Sequence, residues 1–317
     1  YTTRMKTHLL QYVRLMPSLE QALASTYDVT LLPKQPDPGA FLQAHGHTFV
    51  GLVTSAKFGA PVPLLAQLPA LRVVSSLGVG YDGFDLADAR ARGLQIGYTP
   101  EVLNNCVADT AFGLLIDVAR RFSAADRFVR AGHWLNQTFP LTTQVSGKRL
   151  GIVGLGRIGR VVAHRASGFD MDIRYHNRRP VADVPYGYEA QLTDLAKWAD
   201  FLVVISAGGP ETRHLISADV LQALGPKGHL INVSRGSVVD EAALVAALQN
   251  GSIAGAGLDV YTDEPNVPPA LMALDNVVLL PHVASATAET REAMARCVLS
   301  NLDSFFKTGQ VAVAVPL

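Results

Sequence analysis

Cysteine is scarce in this chain of 317 residues, charge of either sign is not in excess, and long apolar runs are missing. Each shortage closes off a class of protein. The two cysteines, Cys106 and Cys297, stand far apart, so no disulfide framework is expected and a reducing compartment fits. Lys plus Arg equal Asp plus Glu at 27 each, so a nucleic-acid footprint would have to be a local patch. The one basic cluster, Arg174, Arg178 and Arg179, is short, and no nucleic-acid partner is expected. No stretch reaches the roughly 20 apolar residues that span a bilayer, and the start YTTRMKTHLL has no signal-peptide core. The expectation is a cytoplasmic protein without a membrane partner. Cys and His do not cluster at ligand spacing, so no metal is expected either.

What the chain does contain is alternation. Short runs rich in Val, Ile and Leu alternate with helical patterns almost from end to end, the signature of parallel sheets with crossover helices. The length favours two domains over one core. In the first third, strands are predicted at His8–Tyr12, Val29–Leu32, Phe49–Thr54 and Leu71–Ser75, with helices at Ser18–Ser25, Val62–Gln67 and Leu86–Arg92. The segment Pro33–Gly39 reads as a Pro-rich loop and nothing more. A long helix is predicted between Pro100 and Gly132, with a break near Arg121–Ser123. A second α/β unit follows with six strands, near Arg149–Val153, Met171–His176, Phe201–Ser206, His229–Val233, Gly255–Asp259 and Val277–Leu280. The amphipathic segment after His282 belongs back against the first unit, which makes that domain discontinuous. The predicted arrangement is α/β throughout: a Rossmann-type domain at 99–284 inserted in a flavodoxin-like domain made of 1–98 and 285–317.

The run RLGIVGLGRIGRVVAHRASGF sets an apolar strand before GLGRIG and an apolar helix after it, which turns a weak pattern into a strong one. Gly154 permits the tight turn, Gly156 lets backbone approach a pyrophosphate, and Gly159 lets helix and strand pack closely. Leu155, Arg157 and Ile158 complete the loop at the helix N-terminus, where free amides and the helix dipole suit an anion. About 20 residues further on, an acid would bind the ribose of NAD and repel a 2′-phosphate. The next strand ends IRYHNRRP instead. Asn177 stands where the acid is expected, and Arg178 and Arg179 offer guanidinium forks for phosphate, so NADP is preferred and NAD is the alternative. The plainer reading of the two arginines is an exposed loop.

Three segments end later strands: INVSRGSVVDE around Arg235, GAGLDVYTDEP around Glu264 and LLPHVAS around His282. Ligands of open parallel sheets gather beyond the carboxyl ends of the strands, so these three can converge. Reduction of a 2-oxo acid needs a cation for the carboxylate, which Arg235 supplies bidentately, and a proton donor for the oxygen that becomes a hydroxyl. His282 suits the second task, and Glu264 would fix its tautomer. Taken singly, each residue also has a structural reading, as a solvated Arg, a turn acid before Pro265 and one His of nine.

With those motifs in place, the chain resembles the D-isomer-specific 2-hydroxyacid dehydrogenase family over nearly its whole length, in its glyoxylate/hydroxypyruvate reductase-like branch. The matching segments are SSLGVGYDGFD, VADTAFGLLI, GLGRIG, INVSRGSVVDEAALVAAL, GAGLDVYTDEP and PHVAS. The resemblance implies that Arg235, Glu264 and His282 are catalytic and that Val79 and Gly80 bind the substrate carboxylate. Gly78 to Gly80 are expected to offer free backbone amides there. It also implies nucleotide contacts at Thr110, Val233 and Asp259, beside Ser234 and His282, and a homodimer formed through the long helices after Pro100. Asp259 also reads as a buried structural acid. Where many relatives carry Pro-Leu-Thr, this chain has Ala207, Gly208 and Gly209, so backbone must replace a side-chain contact to the cofactor. Trp134 and Phe139 read either as residues reaching a partner's site or as ordinary interface aromatics. The expected activity is NADPH-dependent reduction of small 2-oxo acids. The alternatives are an NAD-dependent dehydrogenase of lactate-like acids and a nucleotide-sensing dimeric binding protein.

Overall fold

The structure, a computed structural model, describes residues 6–316. The chain divides into two compact units, Tyr1–Leu103 with Thr287–Leu317, and Asn104–Ala286. The first unit runs β1 (His8–Gln11), α1 (Pro17–Thr26), β2 (Asp28–Leu31), α2 (Pro38–His45), β3 (Gly51–Ser55), α3 (Val62–Leu65), β4 (Val73–Leu77), α4 (Leu86–Ala91) and β5 (Gln95–Gly97). Its five strands are all parallel in the order β2-β1-β3-β4-β5. That is the doubly wound order in which the chain reverses direction beside the first strand.

Two features of this unit depart from the sequence expectation. The segment Pro33–Gly39 is not only a loop: Leu32–Lys34 forms a 3₁₀ turn and α2 begins at Pro38. The Asp37 carboxylate accepts the Ala40 N–H at 3.0 Å, and a proline at the first helical position has its torsion already set. Pro38 therefore starts a helix rather than punctuating a loop. Strand β5, three residues long, is too short to show any periodicity in sequence.

The second unit begins with α5 (Asn104–Arg120) and α6 (Phe122–Arg130). The expected break falls at Arg121, whose φ of 54° is left-handed. The Asp117 carboxylate takes both the N–H and the hydroxyl of Ser123, which starts the new helix in a new direction. Then follow β6 (Arg149–Val153), α7 (Arg157–Ser167), β7 (Asp172–His176), β8 (Gly187–Tyr188), α8 (Leu192–Trp198), β9 (Phe201–Val204), α9 (Ala218–Leu224), β10 (His229–Asn232), α10 (Glu241–Gln249), β11 (Gly255–Leu258), α11 (Pro269–Met272) and β12 (Val277–Leu279). The sheet has seven parallel strands in the order β12-β11-β10-β9-β6-β7-β8. Six were expected; the added β8 is a two-residue edge strand that pairs with β7 at Arg174 and Tyr175. This is the Rossmann dinucleotide-binding order, with its topological switch between β6 and β9. The central strands are buried on both faces, as the unbroken Phe201–Val204 run requires, and every residue in it is fully buried.

Helix α12 (Ala288–Thr308) completes the first unit. Thr287 caps it by accepting the Thr290 N–H at 3.2 Å. From its buried middle, Asn301 donates to the Tyr98 carbonyl at 3.0 Å and accepts the Val313 N–H at 2.9 Å. The C-terminal segment is thereby laid along β5, where the Val315 N–H reaches the Ile96 carbonyl at 2.8 Å. Among the described residues no helix is long and apolar enough to cross a membrane, and no cluster of His, Cys, Asp and Glu suits a metal. Cys106 and Cys297 are not joined in a disulfide.

One buried ionisable group links this core to pH. His229 opens β10, is 4% exposed, and stacks on Phe201 with centroids 5.1 Å apart. Burial lowers its pKa to about 4 from an ordinary 6.5. The folded state thus prefers the neutral ring, and the associated stability is fully present above pH 6.5 and lost as pH falls towards 4. The total at stake is about 3 kcal/mol. Urea unfolding of His229→Phe should show a shallower loss of stability over that interval than the parent; equal slopes would refute the assignment.

Candidate active site

The predicted site residues of the second unit lie on loops leaving the carboxyl ends of its strands or in the first turn of α7, except Thr110, which lies on α5. The β6–α7 loop is shaped by contact distances that tolerate only glycine. Gly154 has φ 101°, and a Cβ there would stand 2.7 Å from the Ser206 nitrogen. A Cβ on Gly159 would stand 2.5 Å from the Gly154 carbonyl oxygen, so helix and strand touch backbone to backbone. Gly156, the N-cap of α7, has nothing within 4 Å of the same position. Two glycines serve close packing and the third faces open space, which is the division of roles a pyrophosphate cradle needs. The amide of Ile158, in the first turn of α7, has no helical partner to donate to.

Asn177 does more than replace an acid. Its Oδ1 accepts the Leu155 N–H at 2.7 Å and its Nδ2 donates to the Leu155 carbonyl at 3.5 Å, so the side chain grips the glycine loop. Leu155 itself points inward and is 2% exposed. The Tyr188 hydroxyl donates to the Asn177 carbonyl at 3.1 Å, which gives the short β8 a role in placing this corner. Arg178 is ion-paired with Glu211. Arg179 is exposed and makes no ion pair among the described residues. Beyond β9, Thr212 donates its hydroxyl to the Ala207 carbonyl at 2.7 Å and steadies the Ala207–Gly208–Gly209 turn. Ser206 Oγ is buried without a hydrogen-bond partner in the protein. An orphaned hydroxyl beside Gly154, together with the open face of Gly156, fits a dinucleotide on this edge of the sheet.

At the end of β10 a buried residue that sequence reasoning missed, Asn232, ties the loop. Its Oδ1 accepts the N–H and the hydroxyl of Ser234 at 3.0 and 2.8 Å, and its Nδ2 donates to the Arg235 carbonyl at 3.0 Å. The only sequence signal was a polar residue closing an apolar strand. Val233 is buried, while Arg235 is half-buried and donates to the Ser234 carbonyl at 2.9 Å. A Cβ on Gly236 would fall 1.9 Å from the carbonyl carbon of Tyr261, so the β10 and β11 loops are in direct backbone contact.

His282 and Glu264 are brought together. Nδ1 of His282 lies 2.7 Å from Oε2 of Glu264, whose Oε1 accepts the Tyr261 N–H at 3.2 Å. A carboxylate oxygen can only accept, so the ring proton sits on Nδ1 and Nε2 is the nitrogen left for proton exchange. The Glu264 side chain is 14% exposed and that of His282 34%, so the pair is shielded at its acid end and open at its ring. The backbone at His282 has φ 54°, an uncommon torsion for a side chain of this size. Two groups hold it there. Asp259, fully buried, accepts the N–H groups of Val283 and Ala284 at 2.7 and 2.9 Å. Burial raises its pKa, against the lowering effect of those two amides. On the other side, the Tyr261 hydroxyl donates to the Leu280 carbonyl at 2.9 Å, and burial pushes that phenol up to about 12. Thr110, on α5, donates to the carbonyls of Cys106 and Ala284 at 3.2 and 3.4 Å.

In the first unit, Val79 and Gly80 lie half-buried in the turn after β4, and their amides donate to nothing among the described residues. The expectation of three free amides is corrected at Gly78, whose N–H is taken by the Thr99 hydroxyl at 2.9 Å. Gly78 is there for its φ of 137° and for room, since a Cβ would lie 2.4 Å from that of Ala56.

A Rossmann sheet whose strand ends carry an Arg, a Glu and a Glu-bonded His defines a nicotinamide-dependent oxidoreductase. The chain belongs to the D-isomer specific 2-hydroxyacid dehydrogenase family, whose NAD binding domain matches residues 112–284. It is 44% identical over 288 residues to a glyoxylate/hydroxypyruvate reductase A of Arabidopsis thaliana, covering 91% of this chain and 92% of that protein. To a hydroxyphenylpyruvate reductase of Plectranthus scutellarioides it is 46% identical, with the same coverage. Among solved structures it resembles the NADPH-dependent glyoxylate/hydroxypyruvate reductase of Sinorhizobium meliloti in complex with NADP and malonate. The TM-score is 0.92 at 44% identity, over 98% of this chain and 97% of that one.

Proposed function

We propose that this protein reduces small 2-oxo acids of the glyoxylate and hydroxypyruvate type to D-2-hydroxy acids, with NADPH preferred over NADH. The observation that carries the reading is the 2.7 Å His282–Glu264 pair at the strand ends of the same sheet that carries a glycine cradle of the dinucleotide type. Bound NADPH supplies the hydride; the protein supplies position and a proton. In this reading Arg235 is the guanidinium that holds the substrate carboxylate, and the amides of Val79 and Gly80 are carboxylate-binding groups of the other unit. His282 gives the proton on Nε2 to the carbonyl oxygen as that oxygen becomes a hydroxyl, and Glu264 holds the ring in place through Nδ1. The ring recovers its proton from solvent through its exposed face. Gly154, Gly156, Gly159, Arg157 and Ile158 take the pyrophosphate, and Asn177, Arg178 and Arg179 the adenosine end. In this reading the unit Asn104–Ala286 is the dinucleotide domain, and the other unit is the substrate domain.

The direct test is loss of nicotinamide absorbance with NADPH and NADH, run separately against glyoxylate, hydroxypyruvate, phenylpyruvate and 2-ketogluconate. Turnover with NADPH supports the reading, whereas nucleotide binding without turnover on any acid would move it to a sensor. Cofactor choice has its own test at Asn177. An Asp at this position can still accept the Leu155 N–H but sets a like charge near a 2′-phosphate. Asn177→Asp should therefore lower the NADPH to NADH ratio of kcat/KM by about tenfold or more, since like-charge contacts cost several kcal/mol.

The reading includes a cytoplasmic homodimer. Two cysteines without a disulfide fit a reducing compartment. Helix α6 buries no residue, and Phe122, Val129, Trp134, Leu135 and Leu141 on and after it are 51, 53, 71, 85 and 101% exposed. So much apolar surface in one short stretch calls for a partner. Phe139, by contrast, packs on Phe128 with centroids 5.4 Å apart and lies under Arg121. Sedimentation should give a dimer for the parent and a monomer for Val129→Glu with Leu135→Asp; a parent monomer would overturn this part.

A further inference from the structure

The Arg178–Glu211 ion pair joins two loops of the nucleotide-facing edge, one leaving β7 and the other following β9. Both side chains are open to solvent, 85% for Arg178 and 72% for Glu211, so nothing but the pair itself holds the contact. Exposed pairs of this kind break easily. Glu211 is not loosely placed, however. It sits in the 3₁₀ turn Pro210–Thr212, which the Thr212 hydroxyl fastens to the carbonyls of Ala207 and Gly209 at 2.7 and 3.3 Å. A fixed turn thus delivers one carboxylate to one of two neighbouring arginines, while Arg179 has no acidic partner among the described residues.

We infer that Glu211 is a specificity-determining counter-ion: it competes with the 2′-phosphate of a nucleotide for Arg178 and thereby restrains the preference for phosphorylated cofactors. The inference rests on the reading that Arg178 takes that phosphate. A 2′-phosphate must displace the carboxylate and then remain near it, whereas a 2′-hydroxyl does neither. The carboxylate therefore weakens NADPH and leaves NADH untouched. The turn that replaces the Pro-Leu-Thr of many relatives carries the restraint, because only Pro210 separates Glu211 from Ala207, Gly208 and Gly209.

Calorimetric titration of the whole protein with adenosine 2′,5′-bisphosphate, AMP, NADPH and NADH tests this without turnover. The variants are Glu211→Gln, which keeps the side-chain shape, Arg178→Gln, and the two together. Glu211→Gln should tighten the bisphosphate and NADPH about two- to fivefold, the range of an exposed ion pair, and leave AMP and NADH unchanged. The gain should shrink at high salt and vanish in the Arg178→Gln background. If Arg178→Gln weakens the bisphosphate but Glu211→Gln does not tighten it, the counter-ion role is wrong and the phosphate site stands. Equal tightening of AMP and the bisphosphate likewise overturns the role. An Arg178→Gln variant with the parent's ratio of bisphosphate to AMP affinity overturns the phosphate-site reading, and this inference with it.

Discussion

Replacement of His282 by Asn should lower kcat by about a hundred- to ten-thousandfold, the usual worth of a positioned proton donor, while NADPH still binds. Asn is the informative substitute because it accepts left-handed backbone more readily than most residues, and position 282 has φ 54°. An Ala variant would add backbone strain to the loss of the ring and blur the result. Glu264→Gln should cost less, since an amide can still accept from Nδ1 through its oxygen, but it removes the negative charge from the 2.7 Å contact. Rates are to be taken with saturating nucleotide, with NADPH affinity measured in parallel. A His282→Asn enzyme that keeps near-parental kcat would remove the proton donor from the mechanism and leave His282 as a loop anchor.

Gly236→Ala should be among the most damaging single methyl additions to the described residues. The added Cβ would sit 1.9 Å from the Tyr261 carbonyl carbon and 2.1 Å from its oxygen, distances no relaxation of a side chain can relieve, because both partners are backbone. Either the β10 loop moves away from the β11 loop or the unit fails to fold. Movement carries Arg235 off its place relative to Glu264, and a displacement of about 1 Å is enough to cost on the order of a hundredfold in rate. Gly156→Ala is the matched control, since its Cβ would meet nothing within 4 Å in the protein. That variant should unfold in urea as the parent does and lose only nucleotide affinity. Circular dichroism, urea midpoints and kcat/KM for the pair would decide; a fully active, fully stable Gly236→Ala would show that the two loops are not in the contact described.

The parts of the site that sequence discloses are those in which chemistry dictates residue type. Only glycine fits at Gly154 and Gly159, and in the proposed reaction a carboxylate clamp and a proton donor leave few choices beyond Arg235 and His282. The doubly wound sheets were legible for a similar reason, since strands buried on both faces must be apolar from end to end. What stayed hidden are hydrogen bonds between residues distant in sequence. Asn177 gripping Leu155, Tyr261 holding Leu280 and Thr99 taking the Gly78 amide leave no local pattern. The start of α2 was misread because proline has two opposite meanings, and only the Asp37 cap before Pro38 separates them. Strand β8 was missed because two paired residues carry no period.

The split of the first unit into Tyr1–Leu103 and Thr287–Leu317 has a consequence for synthesis on the ribosome. The Asn104–Ala286 unit is contiguous and emerges whole, so it can fold while translation continues. The earlier unit cannot finish. Its β4 waits for the Val298 carbonyl, which accepts the Ser75 hydroxyl at 3.0 Å, and the Tyr98 carbonyl waits for Asn301. A nascent chain stalled near residue 286 would therefore carry a finished nucleotide domain and an uncovered sheet in the earlier unit. The exposed face of β4 would be a natural place for a chaperone to hold until the last helix arrives.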